Sequence, residues 1–107
     1  MTLLRLPRAD PDALYLGCDP GTQGAIAAVD GAGTPVDRIR LSKATETDVW
    51  AWLAAVAPKT RLATLERVSA MPRQGVHSMF VFGQAYGLLR GLLTAARIPF
   101  DLIGPAE

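Results

Sequence analysis

Three apolar runs separated only by short turns occupy Ala13 to Leu41, and they constrain the fold more than any other feature. The first, Ala13–Asp19 (ALYLGCD), stops at an acid followed by Pro20-Gly21; the second, Gly24–Asp30 (GAIAAVD), stops at Gly31–Gly33. Short apolar runs bounded by turn residues read as strands. The third, Pro35–Leu41, alternates Arg38 and Arg40 with Ile39 and Leu41, as a strand wet on one face does. Connections this tight make the three a meander.

The period then changes. Val49, Trp52, Leu53 and Val56 form one apolar helical stripe, with Thr45 and Asp48 placed as a capping box and Pro58 as the stop. Leu62–Val68 (LATLERV) reads as a central strand and Ser69–His77 (SAMPRQGVH) as a loop. Ser78 is the expected cap of a second helix reaching about Arg97. Within it Gly83, Gly87 and Gly91 recur every fourth residue. Each glycine costs a helix interior about 1 kcal/mol relative to alanine, so the row predicts a face pressed against another backbone, either the sheet or a partner helix. Ile98–Ile103 closes the order β-β-β-α-β-α-β, an α/β domain with a mixed five-stranded sheet and flanking helices.

A chain of 107 residues, 50% apolar with net charge +1, suits one compact domain and not a strongly basic nucleic-acid module. Its basic clusters (Arg38, Arg40 and Lys43; Lys59 and Arg61; Arg67 and Arg73) read first as solvated faces, until a fold places them. The single Cys18 fits a reducing compartment and reads as a buried small hydrophobe. No membrane span or signal peptide is evident, so residues 1–12 read as an extension of a cytoplasmic protein.

Two acids carry the chemistry. Asp19 closes a strand at the sheet's carboxyl edge, where open α/β sheets bind ligands, although an Asx turn accounts for it equally well. Glu66 interrupts an apolar strand, which calls for a partner: a salt bridge to Arg67 or Arg90, or a shared ion. If the strands are neighbours, the two carboxylates repel unless a divalent cation neutralises them. Hard oxygen donors suit Mg²⁺ or Mn²⁺, and lone His77 and Cys18 cannot make a zinc site. Carboxylate-bound metal is a standard device for phosphodiester cleavage.

The segments LGCDPGTQGAIAAVD, LERVSAMPRQGVHSMFVFGQAYGLLRGLL and IPFDLIGP closely resemble the phage and prophage branch of RuvC-like Holliday-junction resolvases, from about Tyr15 to Pro105. AMPRQGVHSMFVFGQAYG is the specific signature; DPGTQGAIA alone is not. The resemblance implies an RNase H-like fold and a homodimeric, Mg²⁺-dependent endonuclease that cuts four-way DNA junctions. It makes Asp19 and Glu66 metal ligands and catalytic residues. It further implies DNA contacts from Arg67, Met71, Arg73, Gln74, His77, Ser78 and Phe80, and a subunit interface along Gly83, Tyr86, Gly87 and Arg90. Core packing is the rival for Met71, Met79, Phe80 and Phe82, and packing on the sheet for the glycine row.

The family's site also uses two acids on a helix after the last strand. This sequence ends at Glu107, where that helix would begin, and neither Asp101 nor Glu107 matches those acids. The expectation is therefore a nuclease domain over residues 13–107 without that helix, holding half of the site's carboxylates. Two alternatives stand beside the enzyme. One is a non-catalytic junction-binding or dimerisation module. The other is an actin- or sugar-kinase-like ATP-binding fragment, since Asp19-Pro20-Gly21-Thr22-Gln23-Gly24 matches that superfamily's phosphate loop, although 107 residues supply no second lobe.

Overall fold

The computed structural model describes residues 10–21, 23–67 and 75–104. The element order is β1 (Leu14–Asp19), β2 (Ala25–Asp30), β3 (Pro35–Arg40), α1 (Glu46–Val56), β4 (Thr60–Glu66), α2 (Val76–Ala95) and β5 (Phe100–Ile103). Single 3₁₀ turns precede and follow α1. The strands form one sheet in the order β3-β2-β1-β4-β5. β1, β2 and β3 pair antiparallel as a meander, whereas β1–β4 and β4–β5 pair parallel through the two helical crossovers. The α/β class, the mixed sheet and the element order are those the sequence predicts.

One face of the sheet makes the core. Leu16 and Cys18 of β1, Ile26 and Ala28 of β2, and Ala63 and Leu65 of β4 are buried with Val49 and Leu53 of α1 and Leu89 and Leu93 of α2. Each fully buried leucine here contributes about 1.5–3 kcal/mol of transfer free energy. The capping box forms as expected: Asp48 N–H donates to Thr45 Oγ1 at 3.1 Å, and Thr45 N–H to Asp48 Oδ2 at 2.9 Å. The Thr45 backbone N–H, and after it the Thr45 hydroxyl, hold the Asp48 carboxyl below its ordinary pKa.

Among the described residues no helix covers the opposite face. There Tyr15, Gly17, Asp19, Ala27, Arg38, Arg40, Glu66, Asp101 and Ile103 are exposed. Strict alternation drives this division, because neighbouring residues of a strand point to opposite sides. Glu66 interrupts its strand on the wet face, where its register partner on β5 is Ile103, and among the described residues it makes no salt bridge with Arg67 or Arg90.

Several boundaries differ from the sequence reading. β4 runs from Thr60 to Glu66, not Leu62 to Val68, because its pairing with β1 starts at Thr60 opposite Leu14. α2 is capped by Gly75, and Ser78 lies inside its first turn, as does His77. Its end is a Schellman motif: Ile98 N–H donates to the Leu93 carbonyl and Arg97 N–H to the Thr94 carbonyl, both at 3.0 Å. Arg97 takes the left-handed conformation this requires (φ 58°), so β5 begins only at Phe100. The glycine row does not meet the sheet. Gly83, Gly87 and Gly91 face outward, and a Cβ at each would touch nothing within 4 Å. No helix of the described residues is long and apolar enough to cross a membrane.

Candidate functional site

Parallel pairing sets Cys18 of β1 opposite Leu65 of β4, so the next residues of each strand, Asp19 and Glu66, stand side by side on the uncovered face. Both line a cleft of about 610 Å³ with Gly17, Gln23, Ala25, Ala27, Thr64 and Ile103. A second hollow of about 340 Å³ shares Asp19, Gln23 and Glu66, and is bounded by Pro20, Gly21, Gly24 and Phe82. The cleft floor is made of small side chains; a Cβ at Gly17 would meet open space.

The turn after β1 fixes Asp19. Gly21 N–H donates to Asp19 Oδ1 at 3.0 Å, Gly24 N–H to the Gly21 carbonyl at 2.8 Å, and Leu41 N–H to the Gly24 carbonyl at 3.0 Å. The Asx turn is therefore real. It engages one carboxylate oxygen and orients the group, so the turn and the site readings of Asp19 hold together. Phe82 of α2 lies against Gly21, its ring 3.6 Å from the position of a Cβ there. The helix thus braces the turn that carries the acid.

Two oxygen donors on adjacent strands, open to solvent, fit a hard cation. Mg²⁺ is commonly held by one or two carboxylates, waters and the phosphates of its substrate, so this pair suffices for such a site. Zinc is a poor fit. Cys18 points to the opposite, buried face, where burial pushes its thiol up to about 12. Among the described residues no third His, Cys, Asp or Glu completes a metal cluster with these acids.

The remaining expected residues are dispersed. Arg67 follows β4, its N–H bonded to the Ile103 carbonyl at 2.7 Å, and its side chain is exposed. His77, Ser78 and Phe80 lie on the first turns of α2 outside both hollows; Phe80 is 64% exposed. Met71, Arg73 and Gln74, together with Thr22, lie outside the described residues. On α2, Gly83, Gly87 and Arg90 are exposed, whereas Tyr86 packs partly against the core with the Arg90 guanidinium 5.5 Å from its ring centre.

With this geometry the domain is similar to solved structures of RuvC. It matches a Thermus thermophilus RuvC in complex with a Holliday-junction substrate at TM-score 0.58 and 15% identity, covering 88% of this chain and 66% of that one. A second T. thermophilus RuvC structure matches at TM-score 0.50 and 16% identity, covering 86% and 64%. The fold is of the RuvC, RNase H-like type. YeaZ from Pseudomonas aeruginosa matches as well, at TM-score 0.51 and 15% identity, over 86% of this chain and 44% of that one. The chain thus spans about two thirds of the length of the RuvC structures. No family model and no curated protein matches the sequence.

Sequence reasoning found the two acids but missed the floor between them. Gly17, Ala25, Ala27 and Thr64 carry no chemistry of their own. The signal that identifies them is parity: Gly17 and Thr64 lie two residues from an acid on their own strands, Ala25 faces Asp19 across the sheet, and Ala27 faces Gly17.

Proposed function

We propose that this domain is a divalent-metal-dependent endonuclease of the RuvC type, acting on branched DNA as a homodimer in the cytoplasm, and of the phage and prophage branch. The observation that carries this reading is the pairing of Asp19 and Glu66 at the carboxyl ends of adjacent parallel strands, in one open cleft. Asp19 and Glu66 hold Mg²⁺ or Mn²⁺, which when bound supplies Lewis acidity to phosphodiester hydrolysis. The Asx turn keeps Asp19 aimed into the cleft before substrate arrives, so little ordering is left to be done on binding. The small floor admits a sugar-phosphate backbone down to the level of the strands.

Arg67 lies next to Glu66 in sequence and donates to phosphate, as do Arg73 and Gln74 of the following segment and His77 and Ser78 at the start of α2. Met71 and exposed Phe80 offer apolar surface to bases. Phosphate contacts of this kind position the nucleic acid without reading its sequence. The outward row of Gly83, Gly87 and Gly91, with Arg90 beside it, offers a close-approach surface to the same helix of a second copy, Tyr86 supporting it from below.

A second reading is a module that binds junctions without cutting them: the family resemblance implies a site of four acids, and the cleft brings together the pair Asp19 and Glu66. Incubation of a synthetic four-way junction with the chain and Mg²⁺ or Mn²⁺, alongside Asp19→Asn and Glu66→Gln, separates the two. Paired nicks lost in both variants support the nuclease. Retarded, uncut DNA supports the binding module. Nucleotide binding with no affinity for the junction overturns both in favour of a kinase-like fragment.

A further inference from the structure

The sheet register assembles the uncovered face into two cross-strand rows. Ile103, Glu66, Asp19, Ala25 and Arg40 form one, running from β5 to β3; Asp101, Thr64, Gly17, Ala27 and Arg38 form the other. Side chains at paired positions share a face, so Arg38 and Arg40 stand on the same surface as the two acids. Ile39 between them turns the other way and packs against the core. With strands about 4.8 Å apart, the arginine backbone lies about 10 Å from that of β1, a span that Gly17, Ala25 and Ala27 leave unobstructed.

The face is thus polarised. Asp19, Glu66 and Asp101 occupy the β1, β4 and β5 side, and among the described residues Arg38 and Arg40 are the positive charges of the two rows; Arg61 of β4 instead shares its parity with Ala63 and Leu65, which belong to the core. Neither guanidinium makes an ion pair or a side-chain hydrogen bond among the described residues. The ion pair of those residues is elsewhere, Arg61 with Asp10 at 3.7 Å.

A DNA strand that presents one phosphate to the carboxylates brings its neighbouring phosphates over the same face. The acids repel these, and a bound cation offsets the repulsion only locally. Fixed positive charge is required further along the path. Arg38 and Arg40, two residues apart and about 7 Å from each other along β3, are placed to take successive phosphates. Arginine suits this role through its planar fork of donors.

We infer that Arg38 and Arg40 form a phosphate-binding edge that holds the DNA backbone across the small-residue floor, on the side of the cleft opposite Glu66. The inference rests on the nuclease or junction-binding reading of the cleft. It adds a contact surface on β3, remote from the segment between β4 and α2. The competing role for charge on an outer strand is to prevent another strand from adding to the sheet, which involves no DNA.

The test is equilibrium binding of a fluorescent four-way junction over a series of NaCl concentrations, in an Asp19→Asn background so that no DNA is cut. Arg38→Gln/Arg40→Gln is compared with Arg38→Lys/Arg40→Lys, and thermal unfolding confirms that both remain folded. Loss of two phosphate contacts is expected to reduce the slope of log K against log salt by about 2, with weaker binding to every sequence, and the lysine pair is expected to restore most of it. An unchanged slope in a parent protein that binds DNA overturns this inference and leaves the cleft reading intact. A parent protein with no affinity for the junction overturns both.

Discussion

Gly24 lies so close to the Asp19 carbonyl oxygen that no Cβ fits between them, and a Cβ there would also come within 2.7 Å of the Gly21 carbonyl. The obstruction is backbone on both sides, so it cannot be relieved by a rotamer change. Gly24→Ala is therefore expected to push the turn away from its present path, carrying Asp19 with it. Junction cleavage or binding should fall while the α2 and β5 side of the domain stays ordered. Amide exchange resolved by residue checks this: protection should drop around residues 19–26 and persist over Leu89 and Leu93.

Gly17 presents the opposite case. It sits on the floor of the cleft, and a Cβ added to it meets nothing within 4 Å. A strand glycine costs about 0.5–1 kcal/mol relative to alanine, so Gly17→Leu should leave the melting temperature unchanged or higher. Its side chain would nevertheless stand between Asp19 and Ala27, where the backbone of the nucleic acid is proposed to pass. A folded protein with weakened junction binding is the expected result; undiminished binding would show that DNA does not enter the cleft at that depth.

Arg97 holds a left-handed conformation (φ 58°) at the end of α2. A non-glycine residue there is strained by about 1–2 kcal/mol, and the flanking Schellman bonds from Ile98 and Arg97 show that the conformation is imposed by the chain reversal. Arg97→Gly should relieve the strain and stabilise the domain by about 1 kcal/mol, part of the gain being lost to glycine's greater freedom when unfolded. Chemical denaturation reads this as a higher midpoint with an unchanged slope. The residue is remote from both acids, so DNA binding should not change.

How far the sequence carried the fold depended on which force set each feature. Period-2 alternation and short turns located β1, β2 and β3 within a residue or so, because side-chain parity and turn chemistry are local. The capping box at Thr45 and Asp48 was legible for the same reason. Neighbour-dependent features were not. The starts of β4 and β5 follow from pairing with β1 and from the reversal at Arg97. The glycine row of α2 reads as a packing face on its spacing alone, but Leu89 and Leu93 already fill the sheet side, so it faces outward. Asp19 and Glu66 stood out as acids in apolar runs, yet their adjacency is a product of register. Arg38 and Arg40 read as a solvated face, which they are; that this face is the one bearing the acids became visible only once β3 was paired to β2.

Cys18 gives the domain a pH dependence of known sign. Burial raises its thiol from an ordinary value of 9.0 to about 12. Below pH 9 the thiol is protonated in both the folded and the unfolded chain, and its contribution to stability is fully present. Between about pH 9 and 12 the unfolded chain releases the proton and the folded one keeps it, so stability falls as pH rises, by at most about 1.4 kcal/mol per pH unit from this group. Comparison with Cys18→Ala isolates the contribution of this group. The difference in unfolding free energy between wild type and Cys18→Ala should be constant from pH 6 to 8 and shift against the wild type above pH 9. A thiol reagent at pH 8 should correspondingly label the native protein slowly and the denatured protein at once. Rapid labelling of the native protein would mean that Cys18 is reached through the sheet, and the alkaline loss would then be absent.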